Sequence, residues 1–467
     1  MRLSTSIALM AMVVLASVAV WWGGLNQDEG WYLYAANLVA EGEIPYRDFF
    51  FTQGPIMPIV YSMVAGVWRS WGILGARIFT MLIGVLGIIF AVALSKRMAP
   101  DDRKHEAALM VLLLLGVNLY HLYYLTIPKT YALVSLFVMV AFYLLEVSAA
   151  GTLAAGLALA FAAGTRISAG ALLIMVGLWL LFTRRWRSLG YFCVGGIVGI
   201  AIVFGPFLFD DQSRAGIFAA QAYHAARSGF DITWIVGSLS RLVRWYLPIF
   251  ILLGMGGFKH GRLLLLCFMS VFIVQMLAPF PYEDYQVPIM GLLAIFAVIN
   301  FIQTERPKGV LLVFGLTFAT AFGSPLLEKW MTNGQDRFWS IKKDMSELSQ
   351  LREVANEIEA IDPGGKMLFT QDLYLAIETG RRVPDGLEMG PFAMLSDDEW
   401  ETLIDSAPCK IAALSGYSFA IKPPTCDERE ITQQLEFWRR VKRNYELVGQ
   451  VPHFGQNATM LMILKRK

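Results

Sequence analysis

Three carboxylates stand close together after the first apolar segment, in the stretch 28–50, DEGWYLYAANLVAEGEIPYRDFF: Asp28, Glu29 and Asp48. A carboxylate within reach of a hydroxyl can take its proton as that hydroxyl attacks an electrophile. The chain around them is 56% hydrophobic and only 16% charged over 467 residues, the composition of a polytopic membrane protein. Carboxylates beside hydrocarbon are costly to desolvate and mark wet, functional sites. Asp28 and Glu29 open an amphipathic helix whose apolar face carries Trp31, Tyr34, Ala35 and Leu38. Asp at a helix start also serves as an N-cap, the structural alternative. A third acid at Asp48, behind a Pro45-Tyr46 turn, is more than capping requires, and Glu29 has the alternative of simply holding Arg47 or Arg77. The same three acids are the candidate ligands for a divalent cation, and no other cofactor is indicated.

Basic groups make the complementary set. Arg77 begins the second span, and Arg166 follows Gly164-Thr165 inside an otherwise apolar stretch. Snorkelling explains an arginine near a span end. An arginine deep within a span is better explained by an anion, since its planar fork suits a phosphate. Tyr223, His224 and Arg227 lie on the segment IFAAQAYHAARSGF, where a His and an Arg three apart share a helix face and can meet an anionic headgroup. Lys129 follows Pro128. Tyr282 and Tyr285 lie in PYEDYQVP with Glu283 and Asp284 as supporting acids. For the tyrosines, an interfacial aromatic belt is the simpler reading. His121, Tyr123 and Tyr124 fall in the same outer loop as Lys129.

The elements that must hold these groups follow from hydropathy. A span needs about 20 apolar residues, and 5–25, 75–95, 107–124, 130–148, 189–208, 236–257, 263–280, 286–303 and 309–325 qualify. A cleaved signal peptide competes for 1–25, but the run continues through Trp21-Trp22 without a small-x-small site. Lys96-Arg97, Arg184-Arg185-Trp186-Arg187, Lys259 with Arg262, and Arg306 with Lys308 alternate with acidic loops, so the basic loops are expected to be cytoplasmic. That parity places the N-terminus inside and 26–74 outside, with 56–74 along the outer interface. It also makes 152–183 cross twice, in passes of about 15 residues. The turn at Gly164-Thr165-Arg166 would then lie at membrane depth, tolerable only against protein or a wet cavity.

The expected fold is an all-α polytopic membrane protein of about eleven spans over 1–325. An extracytoplasmic α/β domain follows over 326–467. There MSELSQLREVANEIEAI and DEWETLIDSA read as helices, KMLFT and CKIAALS as strands, and Asp362-Pro363-Gly364-Gly365 as a turn. Residues 380–390, GRRVPDGLEMG, read as a polar turn over the site and not as a phosphate loop, since no GK[ST] follows. Cys409 and Cys426 share this tail and could pair outside the cytoplasm, although connectivity does not follow from sequence. The net charge of +2 names no charged partner, and nothing points to nucleic acid.

Several of these residues carry a resemblance. DE-x2-Y, G-x2-PY-x-D, a proline-containing juxtamembrane helix and an arginine opening the next span (Asp28, Glu29, Tyr32, Gly42, Pro45, Tyr46, Asp48, Pro55, Arg77) resemble the GT-C superfamily of glycosyltransferases, most of all its protein O-mannosyltransferase-like and ArnT-like branch. Gly164-Thr165-Arg166, Tyr223-His224 and PYEDYQVP are similar to that branch as well. The resemblance implies a GT-C fold in the bacterial inner membrane or a prokaryotic plasma membrane. It implies a polyprenyl-phosphate sugar as donor, membrane lipids as surroundings, and a glycan, lipid or protein acceptor on the extracytoplasmic face. Asp28 maps to the general base of an inverting displacement; on chemistry alone Asp48 qualifies too, and Asp48 or Glu29 would position the acceptor or a divalent ion. One departure is evident: ArnT-like members carry Lys-Pro-Pro in the first loop where this chain has Gln53-Gly54-Pro55. That loss puts aminoarabinose transfer to lipid A in doubt and moves phosphate binding toward Arg166, Arg77 or Lys129. A transporter or flippase of a lipid-linked sugar is the competing reading, although the halves show no repeat of the transporter kind. A non-catalytic assembly subunit is a third.

Overall fold

The structure is a computed structural model; it describes residues 3–226, 232–278, 281–304, 309–317, 345–393, 395–406, 408–416 and 428–467. Two compact units emerge. One comprises 1–20, 52–57 and 78–336, the other 21–51, 58–77 and 337–467. Most of the first loop expected over 26–74 thus belongs to the same unit as the tail.

The first unit is helical. Among the described residues, four helices are long and apolar enough to cross a membrane, or up to six if each of two bent pairs counts as one span. They include α1 (Leu3–Trp22), α4 (Ala65–Met98) and α10 (Trp186–Leu208). α2 (Gln27–Ala40) and α3 (Ile56–Ser62) lie between α1 and α4. The protein is therefore a multi-pass membrane protein. Two expected spans are sharply bent. Residues 107–124 divide into α5 (Lys104–Gly116) and α6 (Leu119–Thr126) at 69°. There Asn118 starts a new helix by accepting the His121 N–H. Residues 236–257 divide into α12 (Ile232–Trp245) and α13 (Leu247–Gly256) at 82°. Pro248 lies in the first turn of α13, the position where a missing N–H costs least.

The expected break at 164–166 is present. α8 (Gly151–Thr165) stops, Arg166 is extended (φ −144°, ψ 115°), and one 3-10 turn leads into α9 (Gly170–Phe182). Gly54 and Gly164 make this possible, because a Cβ on Gly54 would lie 2.0 Å from the Gly164 carbonyl oxygen. The Gln53-Gly54-Pro55 stretch thus rests backbone to backbone on the break, which a second proline there would prevent.

In the second unit, α4 kinks at Gly72 (φ 62°, ψ −150°), a conformation open essentially to glycine alone. The kink separates the surface segment expected over 56–74 from the span that follows. The Ile73 N–H freed by the kink donates to Glu378 Oε2 at 2.8 Å. Arg69, before the kink, donates to Asn37 Oδ1 on α2 at 2.9 Å.

The tail carries a three-stranded antiparallel sheet, β1 (Ile411–Leu414), β2 (Tyr445–Phe454) and β3 (Thr459–Arg466), in the order β1-β3-β2. Ala412 pairs with Leu464 and Gln450 with Met462. The strand expected at KMLFT is reduced to single parallel bridges, Met367 to Arg382 and Phe369 to Ala412. Both expected helices form, over Glu347–Ile361 and Asp397–Ser406. The turn at 362–365 forms too, with Gly364 at φ 68°. It is locked by the buried Arg381, which donates to Asp362 Oδ2 and Glu359 Oε2, each at 2.9 Å. Cys409 is a buried free thiol, and Cys426 lies outside the described residues, as does most of the tail's leading segment.

Candidate functional site

The acids of the second unit are held in different ways. Asn26, not Asp28, caps α2: its side chain accepts the Asp28 N–H at 3.1 Å, while Glu29 Oε1 accepts the Asn26 N–H at 2.8 Å. This is a reciprocal capping box. Capping is therefore carried by the neighbours of Asp28, whose half-buried side chain stands at the helix start. The helix entrance is fixed by the tail. Leu25 N–H donates to Glu347 Oε2 at 2.7 Å, Gln27 N–H to Gln456 Oε1 at 2.7 Å, and Gln27 Nε2 to the Gln371 carbonyl at 2.9 Å.

Glu29 is fully buried against Arg77. The guanidinium donates through Nε to Oε2 at 2.9 Å and through Nη2 to Oε1 at 2.5 Å, and Nη1 and Nη2 also donate to the carbonyls of Gly23 and Gly24. Neither side chain has any exposed surface. Arg77, expected as a phosphate ligand, serves here as the counter-ion of Glu29, and of the two readings of Glu29, beside the base or paired with an arginine, the structure has the pair. A buried fork with its hydrogen bonds already made has no face left for a second anion.

Asp48 is also partnered. Arg47 donates to both carboxylate oxygens at 2.9 Å, and the Ile44 N–H adds a bond of 2.8 Å. Chiefly the Arg47 hydrogen bonds hold its carboxyl below the usual carboxylate range. Asp48 lies at the edge of a cavity of about 460 Å³ with Tyr34, Leu38, Glu43, Phe49, Phe50 and the 382–388 turn. Among the described residues no three His, Cys, Asp or Glu side chains are placed to hold a metal. Asp28, Glu29 and Asp48 are not assembled as a ligand set, because Arg77 and Arg47 occupy two of the three.

The expected polar turn at 380–390 packs onto α2. Arg382 pairs with Glu41 and Glu43, and the Val383 N–H donates to Tyr34 Oη at 2.9 Å.

The first unit gathers the basic set. Arg166, extended at the helix break, lays its guanidinium over Tyr285 at 4.4 Å and Tyr131 at 5.3 Å. Lys129 lies over the same Tyr131 ring at 4.7 Å and over Tyr124 at 5.4 Å. Its ammonium donates to Asp284 Oδ2 at 2.9 Å, and Tyr131 Oη donates to the same oxygen at 2.9 Å. Arg166, Lys129 and Tyr285 thus meet around one tyrosine. Glu283 turns instead to Arg241 at 2.9 Å. Tyr282 is exposed by 41% and rests on Trp234 and Tyr285. His121 bonds Tyr246 Oη through Nδ1 at 2.9 Å.

Tyr223 and His224 fall on α11 (Asp211–Ala226), their side chains outside the described residues, as is all of Arg227. Tyr131 and Arg241 complete the cluster without having stood out in the sequence. Tyr131 follows Lys129 by two residues at the start of the apolar helix α7 (Thr130–Leu145), where an aromatic residue carries no distinguishing signal.

This arrangement of broken and bent apolar helices with a small mixed tail is the GT-C fold. No family model matches the chain, and no curated protein matches it by sequence; the likeness is structural. ArnT from Cupriavidus metallidurans bound to undecaprenyl phosphate is similar with a TM-score of 0.66 at 13% identity, over 98% of this chain and 97% of that one. Its apo state gives a TM-score of 0.61, again at 13% identity over 98% and 97%. The oligosaccharyltransferase of Archaeoglobus fulgidus in complex with Zn and sulfate gives 0.49 at 11% identity, over 96% and 72%.

Proposed function

We propose that this chain is an integral-membrane glycosyltransferase that moves a sugar from a polyprenyl-phosphate donor to an acceptor hydroxyl on the extracytoplasmic face. The observation that carries the reading is the convergence of Arg166 and Lys129 on Tyr131 at a helix break. Two cations held on aromatic faces beside a single paired carboxylate suit an anion of more than one charge. The fold it shares with a structure bound to undecaprenyl phosphate supplies the lipid. The orientation, with the N-terminus in the cytoplasm and the tail outside it, rests on the alternation of basic and acidic loops.

In the reaction the acceptor oxygen attacks the anomeric carbon as the bond from that carbon to the phosphate oxygen breaks. Polyprenyl phosphate leaves with the bonding pair and gains a negative charge, which Arg166 and Lys129 stabilise. The hydroxyl proton goes to Asp28 as general base, and direct displacement inverts the anomeric centre. Glu29 and Arg77 hold α2 in place.

The test is turnover of a polyprenyl-phosphate sugar by purified protein in detergent, read as free polyprenyl phosphate. A flippase needs a sealed bilayer and releases none. Asp28→Asn is expected to remove at least about 100-fold of the rate; transfer at the wild-type rate would show that Asp28 is not the base.

A further inference from the structure

The second unit holds a cavity that the transfer chemistry above does not use. It measures about 460 Å³, within the roughly 300–1,000 Å³ of small-molecule sites. Tyr34 and Leu38, one turn apart on α2, form one wall. Glu43, Asp48, Phe49 and Phe50 form the second, and Arg382 to Glu388 the third.

Four carboxylates would suggest a cation, but their partners argue otherwise. Asp48 is held by Arg47, Glu43 by Arg382, and both oxygens of Glu388 accept the Gly386 N–H at 2.9 Å. Among the described residues no three such groups converge on a metal position. Arginines thus hold two of the four, a backbone N–H holds Glu388, and Asp385 completes the acidic wall, while each carboxylate keeps lone pairs to accept with. A donor is present as well. Tyr34 is 1% exposed, and its Oη accepts the Val383 N–H, leaving its own hydrogen without an acceptor among the described residues. Phe49 and Phe50 add apolar ring surface. An anionic guest would face Glu43, Asp48, Asp385 and Glu388, and burial, with Asp385 and Glu43 nearby, pushes the Glu388 carboxyl up.

We infer that this cavity binds a neutral, hydroxyl-rich sugar ring of the acceptor, with carboxylate lone pairs and the Tyr34 hydroxyl taking its hydroxyls and the phenylalanine rings its C–H face. The acceptor is then a neutral glycan. This rests on the glycosyltransferase reading.

Full-length protein in detergent is offered a glycan panel of three kinds: neutral hexose and N-acetylhexosamine oligosaccharides, unacetylated amino-sugar oligosaccharides, and uronate or phosphorylated ones. Neutral glycans are expected to be retained. Phe50→Ala and Glu388→Gln, each checked for an unchanged thermal unfolding profile, are expected to weaken that retention about tenfold or more. Hydrolysis of the lipid-linked donor to water should stay at the wild-type rate in both. Retention of only amino-sugar or only acidic glycans, of none, or equal retention by wild type and both folded variants overturns the inference. Donor hydrolysis separates the two ideas. A protein that hydrolyses donor but holds no neutral glycan loses the cavity assignment alone. One that holds neutral glycans but never turns over donor loses the transferase reading and keeps the cavity as a sugar site.

Discussion

Arg77 and Glu29, 48 residues apart in the chain, form a bidentate ion pair with no exposed surface on either side chain. Such a pair seldom adds net stability, but removing one partner leaves a buried charge uncompensated. Arg77→Met is therefore expected to cost about 3–5 kcal/mol. The double variant Glu29→Gln with Arg77→Met should recover much of that loss. Thermal unfolding in detergent measures both, and a double variant no more stable than the single one would refute the account.

Gly54 touches the carbonyl of Gly164, two residues before Arg166. Gly54→Ala forces a methyl group into a backbone contact that cannot yield without moving the break. We expect about 1–3 kcal/mol of destabilisation together with weaker donor binding. Ala at the open Gly66 position, where a Cβ meets nothing, serves as the control. Equal donor affinity in the two variants counts against a role for Gly54 in holding Arg166.

Asp284 fixes the Lys129 ammonium and the Tyr131 hydroxyl through one oxygen. Asp284→Asn keeps the shape and removes the charge that holds the lysine. The expected result is a KM for the lipid-linked donor raised about tenfold, equivalent to about 1.4 kcal/mol, with a smaller change in kcat. Lys129→Met should act in the same direction and more strongly. A change confined to kcat would move this pair from donor binding to the chemical step.

Asp372 is wholly buried in the tail, and burial pushes its carboxyl up to about 6 despite hydrogen bonds from Ser415 and Tyr374. A raised carboxyl means that the folded state keeps its proton where the unfolded chain, near pH 4, has lost it. Stability from this group is thus present at low pH and falls as pH rises from about 4 to about 6. The loss is on the order of 2–3 kcal/mol. Asp372→Asn should flatten that part of the stability curve. Parallel curves for wild type and variant, measured from pH 4 to 7.5, would falsify the assignment.

Much of this molecule was legible because membrane helices announce themselves by composition and because breaks have local causes. The interruption at Gly164-Thr165-Arg166 was visible as three residues that no apolar span favours. The roles within the acid cluster were less visible. Asn26-x-x-Glu29 is a capping signature, yet beside Asp28 it reads as one more acid. That Glu29 takes Arg77 and Asp48 takes Arg47 is settled by packing, since either arginine suits either carboxylate on chemistry alone. The cage around Tyr131 joins residues 129, 131, 166, 284 and 285 across three helical segments, a convergence that no local pattern encodes. The bends at Asn118 and Tyr246 were hidden by continuous hydropathy, which reports burial in lipid and not direction.

The partners of the first loop arrive very late. Leu25, Gln27 and the α2 entrance are completed by groups 322, 344 and 429 residues further along. At a synthesis rate of roughly 5–20 residues per second, the last of them leaves the ribosome roughly 20–90 s after Gln27. Throughout that interval the segment bearing Asp28 has its own capping box but lacks the distant contacts at its helix start. The acid-bearing segment is thus made long before it is finished, and its ordered entrance waits on a partner synthesised 429 residues later.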